Sequence, residues 1–447
     1  MAEAAEIRAD FGRPMARSSA NWGAYGAVAL VYILMAPVPF NLSAGPLLLP
    51  PYRIFLILSV LFIGADLLKG RLKFCAVDLL IALFAAWIAA SSIWNMGAER
   101  ALEASGAVIL DILITYFFMR TAIRNVHDFR VFLIFIAPGV AILGLLLAIE
   151  SISQTNIAIP IASAITGQPY PTEQTFRLGL MRARGPFPHP ILAGVFLGSF
   201  LPLFALSGLR QWPYILGIGG ALCCVFTLSS GALLVLAAST VLVITNWLLE
   251  RTNLLNWRIV LCGLAVIIVF LEVASDSGTV GLIARFAAFN QQTAFFRILI
   301  WEEGIKTVQA FPFFGIGYND WIRPAWMPPS VDNYWLLLAM RFGALTPILV
   351  LLASAIVITS LAKKSSVSQI LDQRILRAVA VALAVVCLGA FSVAVWLSMQ
   401  VWLFALIAIA VSLAQHSVVQ APVGFGMRAH RPNSRTPMTN AESQKSA

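Results

Sequence analysis

Long apolar runs recur along the chain, and they constrain its fold more than any other feature of the sequence. A run of about 17–25 apolar residues crosses about 30 Å of hydrocarbon as an α-helix, and within lipid only helices or closed barrels satisfy their backbone hydrogen bonds. The sequence therefore predicts an all-α polytopic membrane protein with about twelve transmembrane helices. The approximate limits of the twelve runs are 23–41, 47–68, 76–95, 105–121, 131–150, 188–208, 211–228, 231–249, 258–275, 333–361, 376–395 and 397–416.

Composition supports this interpretation and excludes a soluble fold. Of the 447 residues, 60% are hydrophobic and 11% are charged, with a mean hydropathy of +0.87, whereas about a quarter of the residues in ordinary soluble domains are charged. The formal net charge of +10 would otherwise indicate a nucleic-acid partner. The positions of the cations along the chain therefore decide what this charge means.

The lysines and arginines set the predicted orientation, because short cytoplasmic loops are enriched in these residues. With a cytoplasmic N-terminus, 20 of the 30 cations lie in cytoplasmic segments, nine lie in external segments and Arg341 lies within a span. Both termini are thus predicted to be cytoplasmic, and no nucleic-acid partner is needed. The predicted plan is a cytoplasmic segment over 1–22, helices one to nine over 23–275, a large external loop over 276–332, helices ten to twelve over 333–416 and a disordered cytoplasmic tail over 417–447.

Seven of the nine external cations lie in two long loops, at about 151–187 and 276–332. Long loops cross the membrane largely regardless of their charge, which accounts for any single arginine in them. It accounts less well for the first loop, where Glu173 is the only acidic residue between Ser151 and Phe187. We therefore interpret the external loops as the working face of the protein.

Residue chemistry gives no indication of a metal or nucleotide cofactor, and we expect neither. The five cysteines lie in or beside apolar runs without metal-ligand spacing, which predicts packing roles. Of the four histidines, only His189 faces the external side, and no glycine-rich phosphate loop of the P-loop type is present. The cysteines are Cys75, Cys223, Cys224, Cys262 and Cys387.

Acidic residues within spans are functional candidates by default because burying a charge in lipid is costly. Asp111 is the most central of them, and pairing inside the bundle is the more common role for such a group. The others lie nearer to helix ends and are interpreted as structural or interfacial. They are Asp66, Asp78, Glu150 and Glu272.

The most specific pattern in the sequence lies within 285–343. Residues 294–310 are predicted to form an external amphipathic helix with Arg297 and Trp301 one turn apart. A Pro312-x-x-Gly315-x-Gly317 segment then breaks the helix and turns the chain back. The next helix opens at Asp332-Asn333-Tyr334-Trp335-Leu336 and later contains Arg341-Phe342-Gly343.

These motifs resemble the O-antigen ligase and O-antigen polymerase (Wzy-like) superfamily of membrane glycosyltransferases. Arg297 and Trp301, the Pro-x-x-Gly-x-Gly turn, and the helix entry with Asn333, Leu336 and Gly343 carry the resemblance. Two upstream segments also look like segments of the family. They are Arg184-Gly185-Pro186-Phe187-Pro188-His189-Pro190 and Thr227-Leu228-Ser229-Ser230-Gly231-Ala232.

Three positions depart from the family pattern. Asp332 replaces a histidine at the helix entry, Ser230 replaces the arginine of a Ser-Arg segment, and Arg341 replaces an acidic residue. Asp332 and Arg341 are nine residues apart, so an ideal helix places them about 180° apart and a direct pair between them is not expected.

The resemblance implies transfer of a glycan from an undecaprenyl-diphosphate carrier to an acceptor hydroxyl, on the external face of the bacterial inner membrane, with 276–332 as the catalytic loop. The implied partners are the lipid-linked oligosaccharide, a glycan or lipid A-core acceptor, the bilayer and polysaccharide-assembly proteins. Arginine binds diphosphate oxygens without a metal, and Arg297 is the first candidate for this role. Arg184, as a further catalytic candidate, and Arg285 come next, Arg182 and Arg323 rank below them, and the candidate substrate contacts also include His189, Trp301 and Asn333.

The acceptor hydroxyl needs a general base. Asp332 occupies the position of the family's histidine, although an aspartate before a helix is also an ordinary N-cap. His189, Glu302 and Glu303 are the fallback candidates.

Three functions remain open from the sequence. A polymerase or ligase of lipid-linked glycans is the leading hypothesis, and the missing histidine favours a polymerase for exopolysaccharide or O-antigen. A polysaccharide or lipid-carrier flippase also suits twelve helices, but transporters concentrate their distinctive residues at the membrane midplane, whereas here they lie in external loops. A superfamily member that has lost catalysis and serves as an assembly partner is the third hypothesis.

Overall fold

The computed structural model describes residues 22–44, 47–171, 173–251 and 291–416, which are mostly α-helical with two short β-hairpins. The helices are α1 Trp22–Leu34, α2 Pro51–Leu68, α3 Ala76–Met96, α4 Ala98–Ala122, α5 Val126–Ser153, α6 Ala158–Thr166, α7 Pro190–Gly198, α8 Phe200–Leu206, α9 Gln211–Leu222, α10 Ser230–Arg251, α11 Gln291–Ala310, α12 Tyr334–Phe342, α13 Leu345–Ser365, α14 Ile370–Gly389 and α15 Ser398–Gln415. Short 3-10 helices lie at Val38–Phe40 and Cys223–Thr227, and the hairpins pair β1 Leu42–Ala44 with β2 Leu47–Leu49 and β3 Phe176–Arg177 with β4 Leu180–Met181.

Within these described ranges, seven helices are long and apolar enough to cross a membrane: α2, α3, α4, α5, α10, α13 and α15. Shorter apolar helices cover Trp22–Leu34, Pro190–Leu206 and Gln211–Thr227. The prediction of an all-α polytopic membrane protein is confirmed. The count of twelve spans stays a prediction, and the ninth predicted span, 258–275, lies outside the described residues.

Two predicted spans are broken into pairs of helices. The span predicted at 188–208 consists of α7 and α8, which meet at Ser199, and the span predicted at 333–361 consists of α12 and α13. The second break is at Gly343, where φ is +90° and an added Cβ would lie 1.7 Å from the carbonyl oxygen of Phe313. The backbone of the 312–317 turn is packed against this point, so only glycine fits there.

Residues predicted to lie on the cytoplasmic side of the membrane and residues predicted to lie on the external side are found at opposite ends of the bundle. At the end that charge predicts to be cytoplasmic, Arg120 donates to Gln415 at 2.6 Å and Arg377 pairs with Glu250 at 2.7 Å. The opposite end holds the start of α10, and the start of α7 lies beside it because Gly194 packs against Ala232. The side of the membrane on which each end lies stays a prediction.

Buried acids in the bundle are paired, as predicted for Asp111. Its carboxylate accepts hydrogen bonds from the Arg53 guanidinium at 2.6 and 2.8 Å and from the Tyr52 hydroxyl at 3.3 Å. Asp78 pairs with Arg120 and accepts from the Tyr116 hydroxyl at 2.7 Å. These pairs tie α2 to α4 and α3 to α4, which is the usual structural role of ionised groups inside a membrane bundle.

The core is centred on α15, whose residues from Val401 to Leu413 are all buried. Trp402 stacks on Phe200 with ring centroids 4.7 Å apart, and its indole N–H donates to the Ser199 hydroxyl at 2.8 Å. The break between α7 and α8 is therefore held against the central helix.

Candidate functional site

The α11 helix carries Arg297 and lies on α12 through its apolar face. Ile300 is buried with Trp321 of the following loop and with Leu336 and Met340, which are four residues apart on one face of α12. The helix predicted at 294–310 is present, with three more residues at its start, and its external position stays a prediction. Near the start of α11, the Arg297 guanidinium donates to the Ser230 hydroxyl at 2.9 Å, and this bond joins α11 to the first residue of α10.

The Pro312–Gly317 turn fixes α11 relative to α12. Gly315 and Gly317 have φ of +59° and +65°, which is the left-handed conformation that glycine adopts without strain. The N–H groups of Ile316 and Gly317 donate to the carbonyls of Met340 and Arg341, both at 2.8 Å. The predicted chain reversal is confirmed, and it holds Arg297 at a fixed position relative to the start of α12.

Asp332 does not cap α12. The neighbouring Asn333 is the N-cap, and its side-chain oxygen accepts the N–H of Leu336 at 3.0 Å. The Asp332 carboxylate instead lies within electrostatic reach of Arg297 and Arg182. Burial raises the pKa of Asp332, while the two guanidinium groups act in the opposite direction.

The β3–β4 hairpin brings two further arginines to the same place. Arg177 donates to the Leu228 carbonyl at 3.1 Å, directly before the start of α10. Arg182 follows the hairpin, and the next residue, Ala183, donates its N–H to the Phe226 carbonyl at 3.1 Å. Burial, together with the charge of Arg177, lowers the pKa of Arg182 to about 10 against the opposing effect of Asp332.

Sequence reasoning ranked Arg182 low and did not select Arg177 as a site residue. The available signal was the excess of cations in the loop at about 151–187. Two strands of two residues each leave no periodic pattern by which a sequence could place their side chains.

Arg184 lies at the edge of this cluster, in a loop held by a buried carboxylate. Glu150 accepts the backbone N–H of Arg184 at 3.3 Å and that of Gly185 at 2.8 Å. The Arg184 guanidinium contacts the carbonyls of Pro188 and Pro171 at 3.5 and 3.4 Å. Its charge acts on His189, so Arg184 borders the site through that histidine.

His189 is the N-cap of α7, where its Nδ1 accepts the N–H of Ile191 at 3.2 Å. Burial and the charges of Arg182, Arg184 and Arg177 lower its pKa to about 4. The ring is therefore neutral at physiological pH, and its proton lies on Nε2 because Nδ1 is the acceptor. This arrangement suits a hydrogen-bond donor better than a general base.

Several predicted site residues lie away from the cluster. Arg323 pairs with Asp320 at 2.8 Å and donates to the Met327 carbonyl at 2.6 Å, both within its own loop. Trp301 packs against the apolar cluster that contains Ile300 and Trp321. Of the fallback bases, Glu302 is exposed and Glu303 pairs with Lys306 at 2.7 Å. Arg285 lies outside the described residues.

Arg341, the third departure from the family pattern, has a partner of its own. Its guanidinium lies 4.9 Å from the centroid of the Tyr318 ring, a cation–π contact. As the helical spacing predicted, Arg341 and Asp332 form no ion pair within the described residues.

Fold and site together define a multi-pass all-α membrane protein in which Arg177, Arg182, Arg297 and Asp332 converge at one end of the bundle. Planar guanidinium groups bind phosphate oxygens in pairs, and a buried carboxylate of raised pKa is suited to proton transfer.

Comparison with known families identifies the class. Residues 215–351 match the Wzy_C family, described as O-antigen ligase. This domain match confirms the resemblance to an O-antigen ligase/polymerase-like family and supports a membrane glycosyltransferase-like role in polysaccharide assembly. The matched segment contains Ser230, Arg297 and Asp332. No curated protein matches the sequence.

Proposed function

We propose that this protein transfers a glycan from an undecaprenyl-diphosphate carrier to an acceptor hydroxyl on the external face of the bacterial inner membrane. The observation that carries the proposal is the position of Asp332, which lies within reach of Arg297 and Arg182 and is not used as a helix cap. A buried base next to cations is the combination that such a transfer requires.

In the proposed reaction, the acceptor oxygen attacks the anomeric carbon of the carrier-linked sugar. The new glycosidic bond forms while the bond between that carbon and the diphosphate oxygen breaks, and the lipid diphosphate leaves with the bonding electrons. Arg297 and Arg182 stabilise the negative charge that grows on the leaving group. Asp332 accepts the proton of the acceptor hydroxyl.

A polymerase that joins repeat units of O-antigen or exopolysaccharide is the favoured form of this activity. The carboxylate of Asp332 replaces the imidazole found at the helix entry of the ligase pattern, so the base differs in charge and geometry. In a ligase the acceptor would be lipid A-core, and in a polymerase it would be another lipid-linked glycan.

Deletion of the gene, followed by analysis of lipid-linked oligosaccharides and surface glycans, distinguishes the candidate functions. A polymerase mutant accumulates single repeat units on lipid at the outer leaflet, and a ligase mutant accumulates polymer on lipid. A flippase mutant retains repeat units on the cytoplasmic side, and this result would overturn the proposal.

Complementation of the deletion then tests the site. We expect Arg297→Ala and Asp332→Ala to fail to restore the surface glycan, although both proteins insert normally. Arg323→Ala is the matched control, because the Arg323 guanidinium bonds to Asp320 and Met327 of its own loop, and it should complement. Full complementation by both site variants would show that the site assignment is wrong.

A further inference from the structure

The start of α10 carries buried hydroxyl groups whose hydrogen-bonding capacity is not used within the described part of the chain. Ser229 is 1% exposed and Ser392 is 7% exposed, and the Oγ of each has no hydrogen-bond partner there. Leaving a polar group buried and unpaired destabilises a protein. Two such groups at one place indicate that something else supplies the partners.

Ser229 occupies the N-cap position of α10, since its carbonyl accepts the N–H of Leu233 at 2.9 Å. A serine in this position normally turns its hydroxyl to accept an N–H of the first turn. Here the hydroxyl makes no such bond. The N–H groups of the first turn of this 22-residue helix are therefore left for another acceptor.

The chain bends sharply just before the N-terminus of α10. Leu228 has a φ of +46°, a left-handed conformation that is costly for a branched residue. The bend separates the 3-10 helix Cys223–Thr227 from α10, and the Arg177 guanidinium holds the Leu228 carbonyl at 3.1 Å. Strain of this kind is maintained by surrounding contacts and clusters at functional sites.

Ser392 reaches the same place from the loop between α14 and α15. Its Oγ lies 3.7 Å from the position that a Cβ on Gly231 would take, and Val393 lies 2.4 Å from that position. The same loop accepts the Tyr334 N–H at the carbonyls of Ala390 and Val393, at 2.8 and 3.2 Å. The loop therefore joins the first turn of α10 to the helix entry that contains Asp332.

We propose that the N-terminus of α10, together with the Ser229 and Ser392 hydroxyls, binds the oxygens of one phosphoryl group of a diphosphate. The N–H groups, the positive end of the helix dipole and the hydroxyls all favour an anion over a neutral sugar. Arg297 lies beside this subsite because it donates to the Ser230 hydroxyl at 2.9 Å, and it binds the second phosphoryl group. This inference rests on the proposed function and assigns its diphosphate to particular residues.

Binding of two lipid probes to the purified full-length protein tests the proposal. The probes are undecaprenyl diphosphate and undecaprenyl monophosphate, and the variant is Ser229→Ala combined with Ser392→Ala. We expect the affinity for the diphosphate to fall by about tenfold or more, equivalent to about 1.4 kcal/mol, while the affinity for the monophosphate changes by less than about threefold. The monophosphate is held by the arginines alone in this arrangement.

Ser239→Ala is the matched control. Ser239 is a buried serine on the same helix, and its hydroxyl donates to the Gly198 carbonyl at 3.5 Å, away from the first turn. This variant should bind both lipids as the unmodified protein does.

A second variant guards against a folding defect. Ser229→Asp places a carboxylate where we propose that a phosphoryl group binds. Aspartate is a favourable N-cap, so we expect the thermal midpoint to be kept or raised while the affinity for undecaprenyl diphosphate falls.

Two outcomes overturn the subsite, and each is distinct from failure of the proposed function. The subsite is wrong if the double variant binds undecaprenyl diphosphate within about threefold of the unmodified protein, or if Ser229→Asp leaves that affinity unchanged. In both cases the unmodified protein still binds the diphosphate, so the proposed function stands. If the unmodified protein binds neither lipid, the proposed function and the subsite fail together.

Discussion

At the scale of single residues, an aspartate at the start of a helix can be an N-cap or, as proposed here, a general base. In this protein the neighbouring Asn333 is the cap. Asn333 caps α12 through its side-chain oxygen, so the carboxylate of Asp332 is available to the arginines. The sequence left these two interpretations of Asp332 open, because a cap and a base require the same residue type at the same place. The bond from the Leu336 N–H to Asn333 excludes the cap, and the role of Asp332 as a base stays a prediction.

The shifted pKa of Asp332 predicts an acid limb in the pH profile of glycan transfer. Burial favours the protonated form and raises the pKa above its usual value, and the proposed base must be deprotonated. Activity should therefore be present above the raised pKa and fall as the pH decreases through it, at a higher pH than an exposed aspartate would give. Initial rates measured in isolated membranes across this range check the prediction. Asp320→Asn, which changes an exposed carboxylate paired with Arg323, should keep the profile. An activity independent of pH in the acidic range would contradict the role of Asp332.

Glu150 is predicted to position the Arg184 loop. Its carboxylate accepts two backbone N–H groups of that loop and the Asn156 amide, the last at 2.7 Å. Glu150→Gln turns one acceptor oxygen into a donor that faces another donor, which should destabilise the protein by about 1–3 kcal/mol. The thermal midpoint in detergent should fall, and glycan transfer should fall with it. Glu302→Gln, at an exposed position, is the control. Equal thermal midpoints for the two variants would show that Glu150 does not position the Arg184 loop.

At the scale of elements, the sequence predicts where the helices lie better than it predicts where a long apolar run breaks into two helices. The α11 helix and the Pro312–Gly317 turn were predictable, because an amphipathic repeat and fixed glycines carry their own local signals. The breaks at Ser199 and Gly343 were not predicted, since long apolar stretches lie on both sides of each break. The β3–β4 hairpin was also missed, and with it the placement of Arg177. These features depend on contacts between segments that are distant in the chain.

Gly343 is predicted to be essential for the alignment of α11 with α12. A Cβ there would meet the Phe313 carbonyl at 1.7 Å, and the φ of +90° disfavours any other residue. Gly343→Ala should push the turn away from α12, so that Arg297 and Asp332 lose their fixed relation. We expect a loss of glycan transfer of about tenfold or more, equivalent to about 1.4 kcal/mol, and a lower thermal midpoint.

Gly219→Ala serves as the matched control for this substitution. Gly219 lies in α9 with no atom within 4 Å of an added Cβ, and alanine is the better helix former. This variant should be as active and as stable as the unmodified protein. If Gly343→Ala behaves in the same way, the turn does not set the alignment of the site.

At the scale of the whole molecule, the distribution of lysine and arginine predicts one orientation. The contacts Arg120–Gln415 and Arg377–Glu250 lie at the end that the positive-inside rule assigns to the cytoplasm. The arginines that converge on Asp332 lie at the other end, although they carry the same sign of charge. We therefore expect the net charge of +10 to have two physical origins, orientation at one end and the proposed binding of an anion at the other.

Labelling of single cysteines in intact cells tests this orientation. In a variant that lacks the five native cysteines, Asp320→Cys and Lys363→Cys each introduce a thiol at an exposed position. A membrane-impermeant maleimide that enters the periplasm should label the thiol at 320 in intact cells and the thiol at 363 only after the membrane is permeabilised. Labelling of the thiol at 363 alone in intact cells would show that the bundle has the opposite orientation, with the Asp332 site on the cytoplasmic side. A glycan transfer at the external face would then be impossible, since the base and the arginines would face the wrong leaflet.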